Sequence, residues 1–469
     1  MNQTLAPPPP FAERRFFGAA HLLDRIGEQL RIFQDLATIF GEENARKLLS
    51  LAYFVILESE SSMYRFEKFA KTHSHPFSQN IPSQRISEIF AAISEADKMA
   101  FFKLRTEFCC KGEYLAYDTT SISSYSEMMN MVKYGKNKGL ENLGQINLAL
   151  VFGEQSLSPV YYRKLPGNIS DVSTLKQLLV DMSFIGVTGA KFVLDRGFYS
   201  KDNINFLFSY RHKFIVACRA NTKLYKDFLS ELQVQVKGFD NYIEEHGVYG
   251  ITKKAIWEHE YENKQGKKIA QNKVIYLHGF YDGERAEKEK TDFIKKLRKA
   301  EKCFREGEAS CEQEGLVKSF FILKEVSKDV FAIVRANQDA IDLHLAKFGC
   351  FILVSNHIKI ASKVLSLYRN KDVVEKAFCN IKQRLDMKRT KVSSEESLEG
   401  KLFLQFVALI FISHIHKIMS DNGLYKNYSM SSLLDEIDVI EIYHHGKNSG
   451  YSEITDKQRT IFSHFDILI

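Results

Sequence analysis

The chain has 469 residues, 45% of them hydrophobic, so it can bury a large core and form about three domains of ordinary size. Its 65 lysines and arginines against 58 aspartates and glutamates give a net charge of +7, so any anionic partner must be met by local basic patches. The seven cysteines include no CxxC pair, which argues against a disulfide framework and a zinc site and fits a reducing cytoplasm.

The sequence shows no segment typical of targeting to a membrane. The N-terminus lacks an apolar stretch of signal-peptide length. The best later candidate, Leu402 to Ile415, is too short and contains Gln405 and His414. We therefore expect a soluble, cytoplasmic protein without a membrane partner.

Residues 1–112 are predicted to form an all-helical N-terminal domain. Four prolines at 7–10 favour an extended arm, with a disordered tail as the alternative. From Ala19 to Phe108 apolar residues recur at helical spacing, as in HLLDRIGEQLRIFQDLATIF at 21–40.

Residues 113–219 change to strand patterns. Strands are predicted at 113–118, 142–152 and 159–165, and their turn-rich links favour an antiparallel meander. The next predicted elements are a helix at 171–184, a strand at 190–195, a helix from 201 and a strand at 213–218. This order predicts a mixed α/β sheet.

Residues 220–349 interrupt that pattern and are predicted to be an inserted subdomain. The charged run from Glu284 to Glu314 is interpreted as a solvated helix face, with DNA contact by its lysines and arginines as the alternative. Strands are predicted at 319–325 and 330–335.

The sheet pattern resumes in residues 350–425. A strand is predicted at 350–356, followed by a helix at 360–386 and an apolar helix at 398–418. Residues 426–469 form a mixed polar tail to which the sequence assigns no role.

Three acidic residues stand out from their surroundings. Asp118 and Asp195 each end an apolar run, YLAY and KFVL, and are expected at or near the tip of a strand. Glu375 falls inside the predicted helix at 360–386. It shares one helix face with four other residues, which are Tyr368, Asp372, Cys379 and Lys382. Taken alone, that polar stripe can simply face water.

The joint pattern of the three acids indicates metal chemistry. Convergent carboxylates repel one another unless cations lie between them, and their hard oxygen atoms suit Mg²⁺ or Mn²⁺. Two such ions about 4 Å apart assist in-line displacement at a phosphodiester. The acids therefore predict a two-metal site that acts on a nucleic-acid backbone.

Five segments carry a resemblance to a known family. They are YDTTSISSYS at 117–126, YGKNKGLENLGQINLALVF at 134–152, PGNISDVSTL at 166–175, VLDRGFYSKDNI at 193–204 and LYRNKDVVEKAFCNIKQRLDMKR at 367–389. In this order the sequence resembles the bacterial insertion-sequence transposases of the DDE class, in the subgroup with a Tyr-Arg-Glu-Lys signature. The resemblance covers roughly residues 113 to 415.

The resemblance implies a fold and partners. It implies an α/β protein with a ribonuclease-H-like mixed-sheet core, a helical N-terminal region that binds transposon-end DNA, and a mostly β insertion before the last catalytic helix. Asp118, Asp195 and Glu375 match the family's metal-holding acids. The expected partners are two Mg²⁺ or Mn²⁺ ions, double-stranded DNA of the inverted-repeat ends and of the target, and a second copy in a homodimer. The expected location is the bacterial cytoplasm, associated with the nucleoid.

The signature also predicts phosphate contacts. Its Tyr falls on Tyr368 and its Lys on Lys382, while the usual position of its Arg is occupied by Lys371. Because lysine cannot fork across two phosphate oxygens, we favour Arg369 for that role, with a weaker contact by Lys371 as the alternative.

Further candidate contacts each have a structural alternative. Arg196 either clamps a phosphate or pairs with the carboxylates. Trp257, the only tryptophan, either stacks a flipped-out base, as in some relatives, or packs as an ordinary aromatic residue. A basic cluster after Glu375 either contacts the DNA backbone or is simply solvated; it comprises Lys382, Arg384, Lys388, Arg389 and Lys391.

The predicted function is a DNA transposase that binds the terminal inverted repeats of its element, cleaves at their ends and transfers the 3′-OH strands to target DNA. Two alternatives stay open. One is a catalytically inactive protein that binds repeat ends, and the other is a ribonuclease-H-like, structure-selective nuclease.

Overall fold

The fold is mixed α/β and divides into two compact units. The structure, a computed structural model, describes residues 13–58, 62–109, 112–123, 130–134, 143–169, 171–262, 265–327, 330–371, 395–445 and 448–469. The first unit comprises Met1–Val193, Tyr210–His212 and Asn370–Ile469, and the second comprises Leu194–Ser209 and Lys213–Arg369. The sequence-based boundaries at 112, 219, 349 and 425 stay predictions.

Helices dominate the start of the first unit, as the periodicity predicts. After strand β1 (Glu13–Phe16) come α1 (Gly18–Gln29), α2 (Ile32–Phe40), α3 (Glu42–Leu57), α4 (Phe66–Thr72), α5 (Ser83–Ala91) and α6 (Glu95–Cys109). In α1 the spacing of Ala19, Leu22, Leu23 and Ile26 places them on one face, and all four are fully buried.

Three strands of the first unit form the predicted antiparallel meander. They are β2 (Tyr114–Ser123), β3 (Gln145–Gly153) and β4 (Pro159–Pro166), and helix α7 (Asp171–Phe184) leads to β5 (Lys191–Leu194). The strand order is β4-β3-β2-β5. The predicted end of the first strand at residue 118 is wrong, because β2 continues for five more residues. β-Branched Thr119, Thr120 and Ile122 suit this extension, and all are buried.

A sheet of five strands organises the second unit. Helix α8 (Lys201–Ser209) precedes β6 (Lys213–Ala217), and helix α9 (Lys223–Gln235) leads to β7 (Tyr242–Ile243), β8 (Val248–Glu262) and β9 (Lys268–Tyr281). With β12 (Cys350–Ser355) the order is β6-β12-β9-β8-β7, and these neighbours pair antiparallel.

Between β9 and β12 the chain forms a small layer with its own core. Its elements are α10 (Gly283–Glu306), α11 (Cys311–Phe320), β10 (Phe321–Ser327), β11 (Val330–Ala336) and α12 (Gln338–Leu345). Leu297, Ala300, Val317, Phe321 and Ile341 form the buried cluster. Only three α10 residues are buried, which confirms the solvated helix face.

The expectation of a mostly β insertion is wrong. Helices α9 to α12 span more residues than strands β7 to β11. The charged run accounts for the difference, because its long side chains have high helix propensity and its few apolar residues suffice for one packed stripe.

The predicted helix after β12 is described only at its start. Helix α13 spans residues 361–371, and the rest of the predicted helix, to 386, lies outside the described residues.

Helix α14 (Glu395–Asp421) is the core helix of the first unit. It is longer than the sequence pattern predicts, and 17 of its 27 residues are buried. By length and composition it is apolar enough to cross a membrane, yet 78% of its most apolar window is buried inside the protein. A helix that is hydrophobic all round is expected at the centre of a large core.

The C-terminal residues pack on the N-terminal helices. They form α15 (Met430–Asp438), β13 (Glu441–His445), β14 (Asn448–Tyr451) and α16 (Asp456–Ser463), with a small sheet in the order β1-β13-β14. The prediction of an all-helical N-terminal domain is therefore wrong at β1. Its partner β13 lies more than 400 residues away, and no local pattern indicates such a pairing.

Candidate nucleic-acid-cleaving site

Asp118 lies inside a strand rather than at its tip. It is the fifth residue of the ten-residue strand β2, opposite Leu150 of β3, and its side chain is half-buried. Its neighbours Tyr117 and Thr119, which point to the opposite face of the sheet, are buried. The first predicted acid thus belongs to the first unit and lies on its antiparallel meander.

Asp195 lies directly after β5, where the sequence places it. It begins a 3₁₀ turn, Arg196–Phe198, and caps it, because its Oδ1 accepts a hydrogen bond of 2.7 Å from the backbone N–H of Arg196. The Tyr368 hydroxyl donates a second bond of 3.1 Å to the same oxygen. The structure therefore brings together Asp195 and Tyr368, which the sequence assigned to separate roles.

An arginine missed by sequence reasoning braces this turn. Arg219, just after β6, donates from Nε to the backbone oxygen of Arg196 at 3.0 Å and from Nη2 to that of Gly197 at 2.7 Å. Two parallel bonds from one planar guanidinium fix the orientation of the turn. Its position just after a predicted strand was the one feature of the sequence that could have pointed to it.

Arg196 itself is exposed. Within the described part of the chain its guanidinium makes no ion pair or hydrogen bond. Arg196 therefore does not pair with any described carboxylate, which was one of its two predicted roles. The cation is available to an anion from solution.

Arg369 and Lys371, the two candidates for the signature arginine on α13, differ in their exposure to solvent. Arg369 contacts the backbone oxygen of His246 at 3.2 Å and Asp282 at 3.7 Å, with 38% of its side chain exposed. Lys371 is only 2% exposed. Of the two candidates for the arginine role, Arg369 is therefore the accessible one, although protein groups already engage it.

Trp257 lines a cavity of about 500 Å³ in the second unit. Its indole N–H donates to Asn205 Oδ1 at 2.8 Å, which leaves the ring half-buried and fixed. Lys201, Arg219 and the exposed Ile256 also line the cavity. Glu258 lines the cavity as well, and Lys201 is paired with Glu260 at 2.6 Å, so Arg219 is the cationic group beside the aromatic wall, an arrangement that suits a stacked ring.

Two buried ionisable groups near this cavity, the Cys218 thiol and the Tyr199 hydroxyl, are uncharged at neutral pH. Burial raises the pKa of the Cys218 thiol, and it also raises the pKa of the Tyr199 hydroxyl that hydrogen-bonds it. Both therefore stay protonated at neutral pH, and neither is suited to act as a nucleophile.

The comparisons with known proteins assign a family. Residues 112–411 match the model of the transposase DDE domain, and this segment includes all three predicted acids. The chain belongs to the transposase DDE domain family. No curated protein matches its sequence.

Among solved structures, this transposase family member is similar to a cryo-EM structure of the piggyBac transposase synaptic complex with hairpin DNA. The TM-score is 0.41 and the identity 9%, over 85% of this chain and 70% of that chain. A likeness at this level carries no inference about the chemistry of the present chain.

Members of the transposase DDE domain family generally use divalent metal ions. The donor chemistry of Asp195 fits such an ion, because carboxylate oxygens are hard ligands and no described residue donates to its Oδ2. The described residues contain no group of three His, Cys, Asp or Glu side chains able to hold a metal, but Glu375 is not among them. Five predicted DNA contacts also lie outside the described residues; they are Lys382, Arg384, Lys388, Arg389 and Lys391.

A further buried acid of the transposase fold escaped the sequence reading. Glu154, after β3, is 6% exposed, and burial raises the pKa of its carboxyl. Its Oε1 accepts a hydrogen bond of 2.7 Å from Asn370. Like Asp118 and Asp195 it follows an apolar run, so the same signal pointed to it.

Proposed function

We propose that this chain is a DNA transposase that binds the terminal inverted repeats of its own insertion sequence, cleaves at their ends and transfers the 3′-OH strands to target DNA. The observation that carries the proposal is the family match over residues 112–411. Three of the four residues of the Tyr-Arg-Glu-Lys signature, at Tyr368, Glu375 and Lys382, further support a bacterial insertion-sequence enzyme, although Lys371 occupies the usual position of its Arg.

In this proposal Asp118, Asp195 and Glu375 hold two divalent ions, Mg²⁺ or Mn²⁺. Bound ions would promote attack on the phosphorus and stabilise the leaving oxygen of an in-line displacement. The chain's own contribution is to orient the carboxylates. Asp195 is held by its N-cap bond and by Tyr368, and Arg219 fixes the backbone beneath it.

We also propose a ribonuclease-H-like layout for the core. The antiparallel meander of β2, β3 and β4, followed by α7 and β5, supports this layout. Asp118 stands on the first of these strands and Asp195 follows the last, as the sequence order of the family's acids requires.

The proposed DNA contacts combine charge with stacking. Arg196 is exposed and without a described partner, Arg369 is partly exposed, and Trp257 forms the aromatic wall of a cavity that Lys201 and Arg219 also line. Lysine and arginine contacts to phosphates release counterions, so end binding should weaken steeply as salt rises. We propose a homodimer in the DNA complex, since two ends must be joined, and a location in the bacterial cytoplasm at the nucleoid.

A cleavage assay tests this function. The purified chain is incubated with DNA carrying the inverted repeats that flank its reading frame, with Mg²⁺, with Mn²⁺ or with chelator. We expect nicks at the repeat ends only when a divalent ion is present. Tight end binding without cleavage would favour an inactive DNA-binding protein, and cleavage of branched DNA regardless of repeats would favour a structure-selective nuclease.

A further inference from the structure

A tight turn of the second unit lies against helix α13. Tyr242 and Ile243 of β7 pair with Tyr249 and Val248 of β8, so the chain reverses over residues 244–247. Gly247 has a φ of 64°, a conformation that costs other residues more, and it completes the reversal. Residues 244–246 of the turn form a short 3₁₀ helix, and its last residue, His246, contacts α13.

His246 donates a hydrogen bond to the helix. Its Nε2 lies 2.7 Å from Ser366 Oγ, and the Ser366 hydroxyl lies 3.0 Å from the backbone oxygen of Ser362. A serine has one proton to donate. With the Ser366 proton directed to the Ser362 carbonyl, which can only accept, His246 Nε2–H is the donor to Ser366 Oγ. The His246 side chain is 10% exposed, so water competes little for this bond.

Arg369 provides a second contact with the same turn. Its Nη1 donates to the backbone oxygen of His246 at 3.2 Å, and its Nη2 lies 3.7 Å from Asp282. Ser366 and Arg369 are three residues apart and therefore lie on one side of the helix. Two contacts at successive levels on that side resist rotation of α13 about its axis.

The rotation of α13 matters because Tyr368, which directly precedes Arg369, lies about 100° around the same helix and would move with it. Its hydroxyl donates to Asp195 at 3.1 Å. A side-chain tip lies about 5–6 Å from a helix axis, so a rotation of about 10° displaces it by about 1 Å. That displacement is enough to break the hydrogen bond.

We propose that the turn at 244–247 is a positioning element for the cleavage site, with His246 as its positioning residue. By fixing the rotation of α13, His246 holds the Tyr368 hydroxyl on the Asp195 carboxylate. The inference deepens the proposed function and rests on it for the role of Asp195. Groups that orient a metal-holding carboxylate typically affect metal affinity or activity by about 10- to 100-fold.

The test compares His246→Ala with His246→Gln, whose amide Nε2 can replace the donor. His444→Ala is the matched control, because it removes another histidine–serine bond, the 2.7 Å contact with Ser449. Two quantities are measured on the full chain: amide hydrogen exchange of residues 361–371, and the single-turnover cleavage rate at saturating repeat-end DNA, together with the end-DNA Kd.

We expect His246→Ala to accelerate exchange in α13 and to lower the cleavage rate by about 10- to 100-fold without changing the Kd. His246→Gln should restore both, and His444→Ala should change neither. Ser366→Ala, which removes the acceptor, should match His246→Ala, and the double variant should lose no more than either single one.

Unchanged exchange and an unchanged rate in His246→Ala would overturn the inference, as would a glutamine variant no better than the alanine one. A wild-type chain that does not cleave contradicts the proposed function instead. In that case hydrogen exchange alone still decides whether His246 holds α13.

Discussion

The N-terminal helices of the first unit and the helices α10 to α12 of the second differ in how they use charged residues. In the former, Arg105 of α6 is fully buried and pairs with Asp35 of α2 at 2.9 Å. In the latter, Arg298 pairs with Glu301 at the same distance, but the arginine side chain is 77% exposed. Composition does not distinguish the two pairs, whereas burial does.

This difference shows which polar contacts of the transposase fold hold its shape. A buried ion pair is costly to break because the remaining charge is left without water or a partner. An exposed pair is screened by solvent and contributes little. Stability should therefore depend on single residues in the N-terminal helices and only weakly on the charged surface of α10.

The largest expected effect on stability comes from Arg105→Ala. It leaves the buried Asp35 uncompensated and removes the 2.6 Å bond to the backbone oxygen of Leu30. We expect the free energy of unfolding in urea to fall by about 3–5 kcal/mol. The double variant Arg105→Met with Asp35→Leu should recover much of that loss.

Arg298→Ala is the matched control for this substitution. Glu301 keeps its contact with Arg305, so the change in unfolding free energy should stay within about 0.5 kcal/mol. Equal losses in Arg105→Ala and Arg298→Ala would break the distinction between the two regions.

Two glycines sharpen the same comparison. A Cβ on Gly400 of α14 would lie 2.3 Å from Phe90 Cα, a backbone atom that cannot move aside, whereas a Cβ on Gly315 of α11 would meet nothing within 4 Å. We expect Gly400→Ala to cost about 3 kcal/mol and Gly315→Ala to stabilise by about 0.5–1 kcal/mol. Thermal unfolding measures both, and a gain in stability for Gly400→Ala would contradict the close packing of α14 on α5.

Ionisation of Asp24 should have a smaller effect on the free energy of unfolding, and this effect should depend on pH. Burial raises the pKa of its carboxyl to about 6, against an ordinary value of 3.8, although it accepts a 2.8 Å bond from the Tyr53 hydroxyl. The folded state thus binds the proton more tightly than the unfolded state, so stability is lost as pH rises from about 4 to about 6.

Asp24→Asn should remove this loss, since an amide oxygen still accepts from Tyr53. We expect the variant to exceed the wild type by about 3 kcal/mol at pH 7 and by only about 0.5 kcal/mol at pH 4. Urea unfolding at both pH values checks the difference. A gap that is the same at pH 4 and pH 7 would show that ionisation of Asp24 is not its cause.

Much of the fold was predictable because its signals are local. The helical spacing in residues 19–108 and the meander at β2 to β4 followed from periodicity alone. The pairing of β1 with β13 did not, because the two strands are more than 400 residues apart, and the end of β2 did not, because it depends on pairing with β3 rather than on a local pattern. The insertion was mispredicted for another reason, since its β content was inferred from family resemblance rather than from its own charged, helix-forming residues.

In the candidate site the position of Asp195 at a strand end was predictable, but the residues that orient Asp195 were not. Asp195 lies at a strand end, as the apolar run before it indicated. Glu154 also follows an apolar run and is buried, but it was not among the predicted site residues. Arg219 donates to backbone oxygens, and His246 is hydrogen-bonded to a serine. Such contacts produce no recognisable spacing of residues in the sequence. The sequence pattern therefore predicted the place of Asp195 in the fold but not the residues that orient it.

The most direct test of the central claim compares Asp195→Asn with Asp202→Asn in metal-dependent cleavage of repeat-end DNA. Asp202 is an exposed acid in the first turn of α8, so its substitution controls for loss of charge near the site. We expect Asp195→Asn to lower the single-turnover rate by about a thousandfold, equivalent to several kcal/mol of metal-assisted stabilisation, while end binding and the Asp202→Asn rate stay unchanged. An Asp195→Asn chain that cleaves at the wild-type rate would contradict the assignment of Asp195 to the cleavage site.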